Sequence, residues 1–159
     1  SSDLTITLSV LEGDDVIYLA ARNSSVSHAL IEFRAGMRLP AAFTATGKAF
    51  LSHMSDFEVR RLYNDGLPPP RTHKSVRTVD DLIDEIRKIR SLGFSCDDEQ
   101  VADGIICFGA TVVNSLNRPI AAIAVSILAE TLSDAARAHV IADVQRIAGQ
   151  LSRRMGAEI

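Results

Sequence analysis

The stretch IICFGATVVNSLNRPIAAIAVSI, residues 105–127, decides the fold class. It contains two apolar runs, Ile105 to Val113 and Ile120 to Ile127, joined by residues 114–119, a polar turn sequence of hairpin length. Strands joined by so short a connection pair antiparallel, because a parallel pair needs a crossover of a dozen or more residues. The stretch therefore predicts an antiparallel β-hairpin.

Strand patterns also occur near the start of the chain. Residues 4–10 alternate between apolar and hydroxyl side chains, which is the period of a half-buried strand. Gly13-Asp14-Asp15 interrupts this pattern, and Val16 to Ala21 is typical of the returning strand of a hairpin. A weaker pattern predicts a third strand at residues 26–34, and Phe94 to Cys96 predicts a short one.

Helix signals lie between and after these strands. A helix is expected to start at Thr44 and another to run from Ser55, which forms a capping pattern with Glu58, to Asn64. The clearest helix runs from Thr78 to Gly93, and a last one follows Ser133. The order of strands, helices, strands and helix predicts a single α+β domain, an antiparallel sheet with flanking helices.

Composition excludes several classes of function. The 159 residues are 47% hydrophobic and carry a net charge of -3, which suits a globular domain and lacks the basic stripe that nucleic acid requires. Cys96 and Cys107 form no CxxC pair, so neither a zinc site nor a disulfide scaffold is expected. No signal peptide or apolar run of membrane length is present, and we expect a cytoplasmic protein without membrane contact. The start at Ser1 without Met suggests a fragment.

Three local features are candidates for chemistry, and each has a plainer interpretation. Gly47-Lys48 lacks the flanking residues of a nucleotide P-loop. Amides at this helix start could bind an anion, or Gly47 could only allow close packing of the helix on the sheet. Asp97-Asp98-Glu99 could be a solvated turn, or one carboxylate could point into a pocket. Cys107 is either a buried structural thiol or a nucleophile that needs a nearby His. No histidine pair has metal-ligand spacing on a helix, and no metal or cofactor is expected.

Three stretches together resemble a known family. They are RLP at 38–40 leading to TATGKA at 44–49, GFSCDDEQ at 93–100 leading to GIIC at 104–107, and PIAAIAVS at 119–126. Their order and spacing resemble the C-terminal effector-binding domain of IclR-type bacterial transcriptional regulators, over nearly the whole chain.

The resemblance implies a GAF-like fold over residues 1–159, with a small-molecule pocket on the concave side of the sheet. It also implies a homodimer or homotetramer that contacts DNA only through an N-terminal winged helix-turn-helix domain outside this chain. The implied ligand-binding residues are Met37, Leu39, Ala45, Thr46, Gly47, Asp97, Cys107, Ala124 and Ser126. The family often has Ser at the position of Ala124 and Gly or Leu at that of Ala45, so the ligand of one member cannot be transferred to another.

Binding energies constrain the ligand of such a pocket. A helix terminus contributes about 0.3–1 kcal/mol and a hydrogen bond to Asp97 about 1.5–3 kcal/mol, whereas micromolar affinity needs about 8 kcal/mol. Apolar burial must supply much of the rest, which predicts a small organic acid with an apolar or aromatic body as effector.

The alternatives to such a sensor are a dimerisation module without ligand and a small GAF-like enzyme that uses Cys107 with Asp97 or a His. We expect a sensor and not an enzyme.

Overall fold

The computed structural model of the protein describes residues 4–24 and 31–159. Its strands are β1 (Thr5–Glu12), β2 (Asp15–Arg22), β3 (Arg38–Pro40), β4 (Ser95–Asp98), β5 (Ile105–Val113) and β6 (Pro119–Leu128). They form one antiparallel sheet in the order β3-β2-β1-β6-β5-β4. The two predicted hairpins, β1–β2 and β5–β6, are both present, and the predicted α+β class with an antiparallel sheet is confirmed.

Four α-helices accompany the sheet: α1 (Ala45–Leu51), α2 (Asp56–Leu62), α3 (Val79–Leu92) and α4 (Asp134–Arg154). Each begins as predicted, because the hydroxyl of Thr44, Ser55, Thr78 or Ser133 accepts a hydrogen bond from the amide three residues further on. A left-handed Gly93 ends α3, as expected. Within the described ranges, no helix combines the length and the apolar character needed to cross a bilayer.

The predicted third strand at 26–34 is not found where the structure describes it. Residues 31–34 form no strand, and residues 26–30 lie outside the described residues. The side chain of Asn23 explains the difference: its amide nitrogen donates to the Phe33 carbonyl at 2.8 Å, and its oxygen accepts from the Phe33 amide at 3.0 Å. A side chain therefore occupies the backbone groups that a neighbouring strand would use. The third strand in chain order is instead Arg38–Pro40.

Helices cover the two faces of the sheet unequally. On the outer face, α4 packs Val140, Val144 and Ala148 against alternate side chains of β5 and β6. On the inner face, α1 lies against the sheet, and the apolar stripe of α3 joins the same core. Strand β1 turns its hydroxyl residues inward: Thr5, Thr7 and Ser9 are buried, while Ile6 is 40% exposed on the outer side.

Candidate functional site

Two glycines allow α1 to lie unusually close to its neighbours. A Cβ atom at Gly47 would come within 2.3 Å of the Ala41 backbone, and one at Gly109 would lie 2.8 Å from Ser95 Oγ and 3.0 Å from the Ala45 carbonyl carbon. Ser95 Oγ, on β4, also donates a hydrogen bond to the Ala45 carbonyl oxygen. The start of α1 is thereby held against the middle of the sheet's inner face.

Below this helix start, the strand register aligns a row of polar side chains. Asp97 on β4 pairs with Cys107 on β5, Cys107 pairs with Ser126 on β6, and Ser126 pairs with Thr5 on β1. Directly paired residues point to the same face of a sheet, so all four side chains face the inner side. The Cys107 sulfur lies 3.0 Å from Ser126 Oγ. The row brings together residues that are far apart in sequence.

The row and the helix start enclose a small cavity of about 10 Å³. Its polar walls are Thr7, Thr44, Thr46, Asp97, Cys107 and Ser126, and its less polar walls are Tyr18, Phe33, Ala45, Val101 and Ala124. This volume corresponds to about one water molecule. Any organic ligand would therefore have to displace part of the wall.

Six of the nine predicted ligand-binding residues line this cavity, namely Ala45, Thr46, Asp97, Cys107, Ala124 and Ser126. The other three do not. Leu39 is buried in the apolar core between the helices and the sheet, and the half-buried Met37 packs against that core. The Gly47 amide donates to Thr44 Oγ1 at 3.0 Å, so it is not the free donor that the sequence suggested. Of the two interpretations of Gly47, its contacts agree with the close-packing one.

The three consecutive acids have different environments. Asp97 is 2% exposed and lines the cavity, whereas Asp98 is exposed. Glu99 accepts hydrogen bonds from Lys74 and from the Gly104 amide outside the cavity. The first acid therefore points into a pocket, which was the second of the two interpretations of this segment.

Burial dominates the chemistry of Asp97. It raises the pKa of the carboxyl group from 3.8 to about 6; Lys48 and the amides of Gln100 and Val101 act in the opposite direction. One carboxylate oxygen accepts from the Gln100 amide at 2.7 Å. The cavity therefore contains a carboxyl group whose pKa lies well above that of an exposed aspartate.

A buried ion pair supports this wall from behind, and sequence reasoning did not find it. Lys48 is 1% exposed, and its ammonium group donates to Glu85 on α3 at 2.8 Å and to the Cys96 carbonyl. Gln100 joins the network by donating its side-chain amide to the other Glu85 oxygen at 2.8 Å. Its backbone amide, bonded to Asp97, connects the network to the cavity.

Two aromatic residues that the sequence analysis did not identify complete the site together with the hydroxyl of Thr46, which it did. The rings of Tyr18 and Phe33 lie 5.2 Å apart on one side of the cavity. Thr46 Oγ1 is buried and has no hydrogen-bond partner among the described residues. Its side chain interacts with the Tyr18 phenol and lowers the pKa of that phenol, although burial has the larger effect and raises it. The Thr46 hydroxyl thus lies beside Tyr18 in the wall of the cavity.

The environment of Cys107 disfavours a thiolate. Burial raises the pKa of the thiol well above its usual value, and the adjacent Asp97 raises it further. The described lining residues include no histidine that could act as a base. In the described ranges, no three His, Cys, Asp or Glu side chains form a group that could hold a metal ion.

The antiparallel sheet, the helices on both faces and the cavity below the start of α1 define a GAF-like domain. Residues 1–153 match the family model described as bacterial transcriptional regulator IclR C-terminal, and the chain belongs to this family. It therefore represents the C-terminal domain of an IclR-family regulator.

Individual relatives agree with this assignment. The Escherichia coli HTH-type transcriptional regulator XynR is 27% identical over 152 residues, which are 96% of this chain and 60% of XynR. The structure of the Agrobacterium tumefaciens repressor BlcR aligns with a TM-score of 0.92 and 37% identity, over 99% of this chain and 62% of BlcR. The PobR inducer-binding domain from Acinetobacter has the same fold, with a TM-score of 0.81, 20% identity and coverage of 94% and 87%. The chain thus spans about 60% of the length of XynR and of BlcR.

Proposed function

We propose that this chain is the effector-binding and oligomerisation domain of a DNA-binding transcriptional regulator. In this proposal a small organic acid with an apolar or aromatic body binds in the cavity below the start of α1. A winged helix-turn-helix domain outside this chain contacts DNA, and the protein acts in the cytoplasm as a homodimer or homotetramer. The domain itself has no catalytic role.

The observation that carries the proposal is the convergence of Thr46, Asp97 and Ser126 on one enclosed space. The Thr46 hydroxyl is a buried polar group whose satisfaction by a ligand would be favourable, since an unpaired buried hydroxyl costs about 1–3 kcal/mol. Tyr18 and Phe33 supply an apolar wall that matches the expected body of the ligand. A double mutant of the PobR inducer-binding domain, which shares the fold, forms a complex with 3-hydroxy benzoic acid, and this supports an acid as effector.

The small volume of the cavity suggests how a ligand could act as a signal. A molecule larger than water has to displace wall residues, and the side of Tyr18 and Phe33 is one candidate for that movement. A ligand shifts a conformational equilibrium only through a difference in affinity between two states. A site that must open to bind meets that requirement, because the ligand has affinity for the open state alone.

A thermal-shift screen of organic acids, followed by calorimetry, tests the proposal. Binding raises apparent stability by mass action, so effectors increase the Tm of the wild-type domain. The matched variant is Thr46→Val, which keeps the shape of the side chain, removes the buried hydroxyl from the cavity wall and is expected to reduce the shift while the protein remains folded. The proposal fails if no acid raises the Tm, or if acids raise it equally in wild type and T46V.

The cavity volume of about 10 Å³ also favours a second candidate, a dimerisation module that binds no ligand. The same screen separates the two, since this candidate predicts no acid-dependent change. The proposed enzyme alternative gains no support from Cys107, whose surroundings oppose ionisation.

A further inference from the structure

All ionisable side chains that line the described cavity are acids. They are Tyr18, Asp97 and Cys107, and no Lys, Arg or His belongs to the described lining. An organic acid that enters as its carboxylate meets a second carboxylate in a buried space. Two carboxylates that share a buried site cannot both remain ionised at low cost, and the pKa of one of them rises strongly.

The positive charge of Lys48 is already neutralised. The Lys48 ammonium group donates to Glu85 at 2.8 Å and to the Cys96 carbonyl, behind the wall of the cavity. The Gly47 amide, which could have faced an anion, donates to Thr44. Arg71 is exposed, and its Nε donates to the Val101 carbonyl at 3.3 Å. The Lys48 ammonium group and the Gly47 amide could serve a ligand carboxylate only by losing an existing partner, and Arg71 does not belong to the described lining of the cavity.

We propose that the cavity binds a monocarboxylic acid together with one proton, and that the ligand carboxyl group and Asp97 share this proton. This inference rests on the proposed function. The proton comes from solvent, and the complex keeps a single negative charge shared by two oxygens across one hydrogen bond. Hydrogen bonds of this charge-assisted kind are short and strong. The selected ligand class is therefore a weak monocarboxylic acid, and a second ionised group on the ligand would bind poorly.

The groups that face Asp97 come from every element packed against it. Thr46 and Lys48 belong to α1, Glu85 to α3, Tyr18 to β2 and Cys107 to β5, and the amides of Gln100 and Val101 follow β4.

Lys48 and Glu85 form a neutral ion pair, within which Lys48 lowers the pKa of Asp97 more than Glu85 raises it. Burial already raises the pKa of Asp97 to about 6, which is about one unit below neutral pH. Protonation of Asp97 at pH 7 therefore weakens the binding of the ligand by about tenfold.

Calorimetry in two buffers of different ionisation enthalpy, at one pH, measures the number of protons taken up with the ligand. The probes are acetate, pyruvate, benzoate and 3-hydroxybenzoate, with benzamide as an uncharged comparison. We expect the acids that bind to take up about one proton each. Their affinity is expected to fall about tenfold per pH unit between pH 7 and 8, because one proton accompanies each ligand. Binding of benzamide is expected to be independent of pH.

Two variants isolate the role of Asp97. Asp97→Asn keeps an oxygen that can accept from the Gln100 amide but has no charge; we expect it to bind acids at least about tenfold more tightly at pH 7.5, without proton uptake. Asp98→Asn removes the adjacent exposed carboxylate and is expected to retain wild-type proton uptake.

The possible outcomes distinguish a failure of this inference from a failure of the proposed function. Acid binding without proton uptake, or proton uptake that persists in D97N, overturns the inference and leaves the proposed function intact. Binding by none of the four acids overturns the proposed function and the inference with it.

Discussion

The ammonium group of Lys48 lies 2.8 Å from a carboxylate oxygen of Glu85, although the lysine side chain is only 1% exposed. The two residues join α1 to α3, and the same ammonium group also binds the Cys96 carbonyl on β4. A buried lysine costs a large desolvation free energy unless its charge is paired and its donors are used. The pair therefore ties three elements together at the back of the candidate site.

Replacing Lys48 with Met should destabilise the domain by about 2–4 kcal/mol, because Glu85 keeps a partly buried charge without its partner. Urea denaturation measures the change in the free energy of unfolding. Lys88→Met on the exposed surface of α3 is the matched control, with an expected change below about 0.5 kcal/mol. Equal stability of K48M and K88M would show that the ion pair contributes nothing.

Adding one methyl group to α1 should be costly. In Gly47→Ala the new Cβ would meet the Ala41 backbone at 2.3 Å, and we expect a loss of at least about 2 kcal/mol from overpacking. Gly149→Ala in α4 is the control: its Cβ has no neighbour closer than Arg153 at 3.6 Å, and it should stabilise the helix by about 0.5–1 kcal/mol. Thermal or urea unfolding of both variants checks the opposite signs, and a stable G47A would contradict the close packing.

The pH dependence of stability should carry the signature of Asp97. Its pKa is raised from 3.8 to about 6 in the folded state, so the folded protein binds this proton more tightly than the unfolded chain. Stability from this group is present below pH 4 and is lost as the pH rises through about 6.

Asp97→Asn has no carboxyl group to ionise, so it does not lose this stability. The free energy of unfolding of D97N minus that of wild type should therefore increase by about 2 kcal/mol between pH 4.5 and pH 7.5. Urea unfolding across this range measures the difference, from which contributions of other carboxylates cancel. A constant difference would mean that Asp97 titrates normally.

Neither cysteine should react with iodoacetamide in the native protein at pH 8. Burial raises the pKa of Cys96 to about 11 and that of Cys107 well above its usual value, so the reactive thiolate is scarce at both positions. Mass spectrometry counts the labels, with urea-unfolded protein as the positive control. Rapid native labelling in Cys96→Ser would place a reactive thiolate at Cys107 and restore the enzyme alternative.

The helix starts were predictable from the sequence because capping is local. Each cap is a hydroxyl and an amide three residues apart, as at Thr44 and Gly47, so no knowledge of the fold is needed. The β5–β6 hairpin was equally accessible, since its turn and both strands are contiguous. The failure at residues 31–34 has the opposite cause: Asn23, ten residues upstream, occupies the backbone groups of Phe33.

The candidate site was only partly predictable, because its parts meet through long-range pairing. Asp97 faces the cavity by virtue of its register with Cys107, and no local pattern distinguishes it from the exposed Asp98. No local pattern marks Lys48 as buried, since its partner Glu85 lies 37 residues away. The alternation in β1 predicts one buried face but does not show that the hydroxyl residues face the cavity. The register with β6 turns Thr5 and Thr7 inward, toward the cavity side.

The tight fit of the walls around a cavity of about 10 Å³ affects how its ligands can be found. Rigid fitting of a compound library to this conformation of the domain would reject even acetate, whatever its affinity, because no molecule of several heavy atoms fits without overlap. Ranking by shape would thus favour compounds for the outer grooves. Solution screens, in which Tyr18 and Phe33 are free to rearrange, are the route by which the chemistry of this interior can be matched to a metabolite.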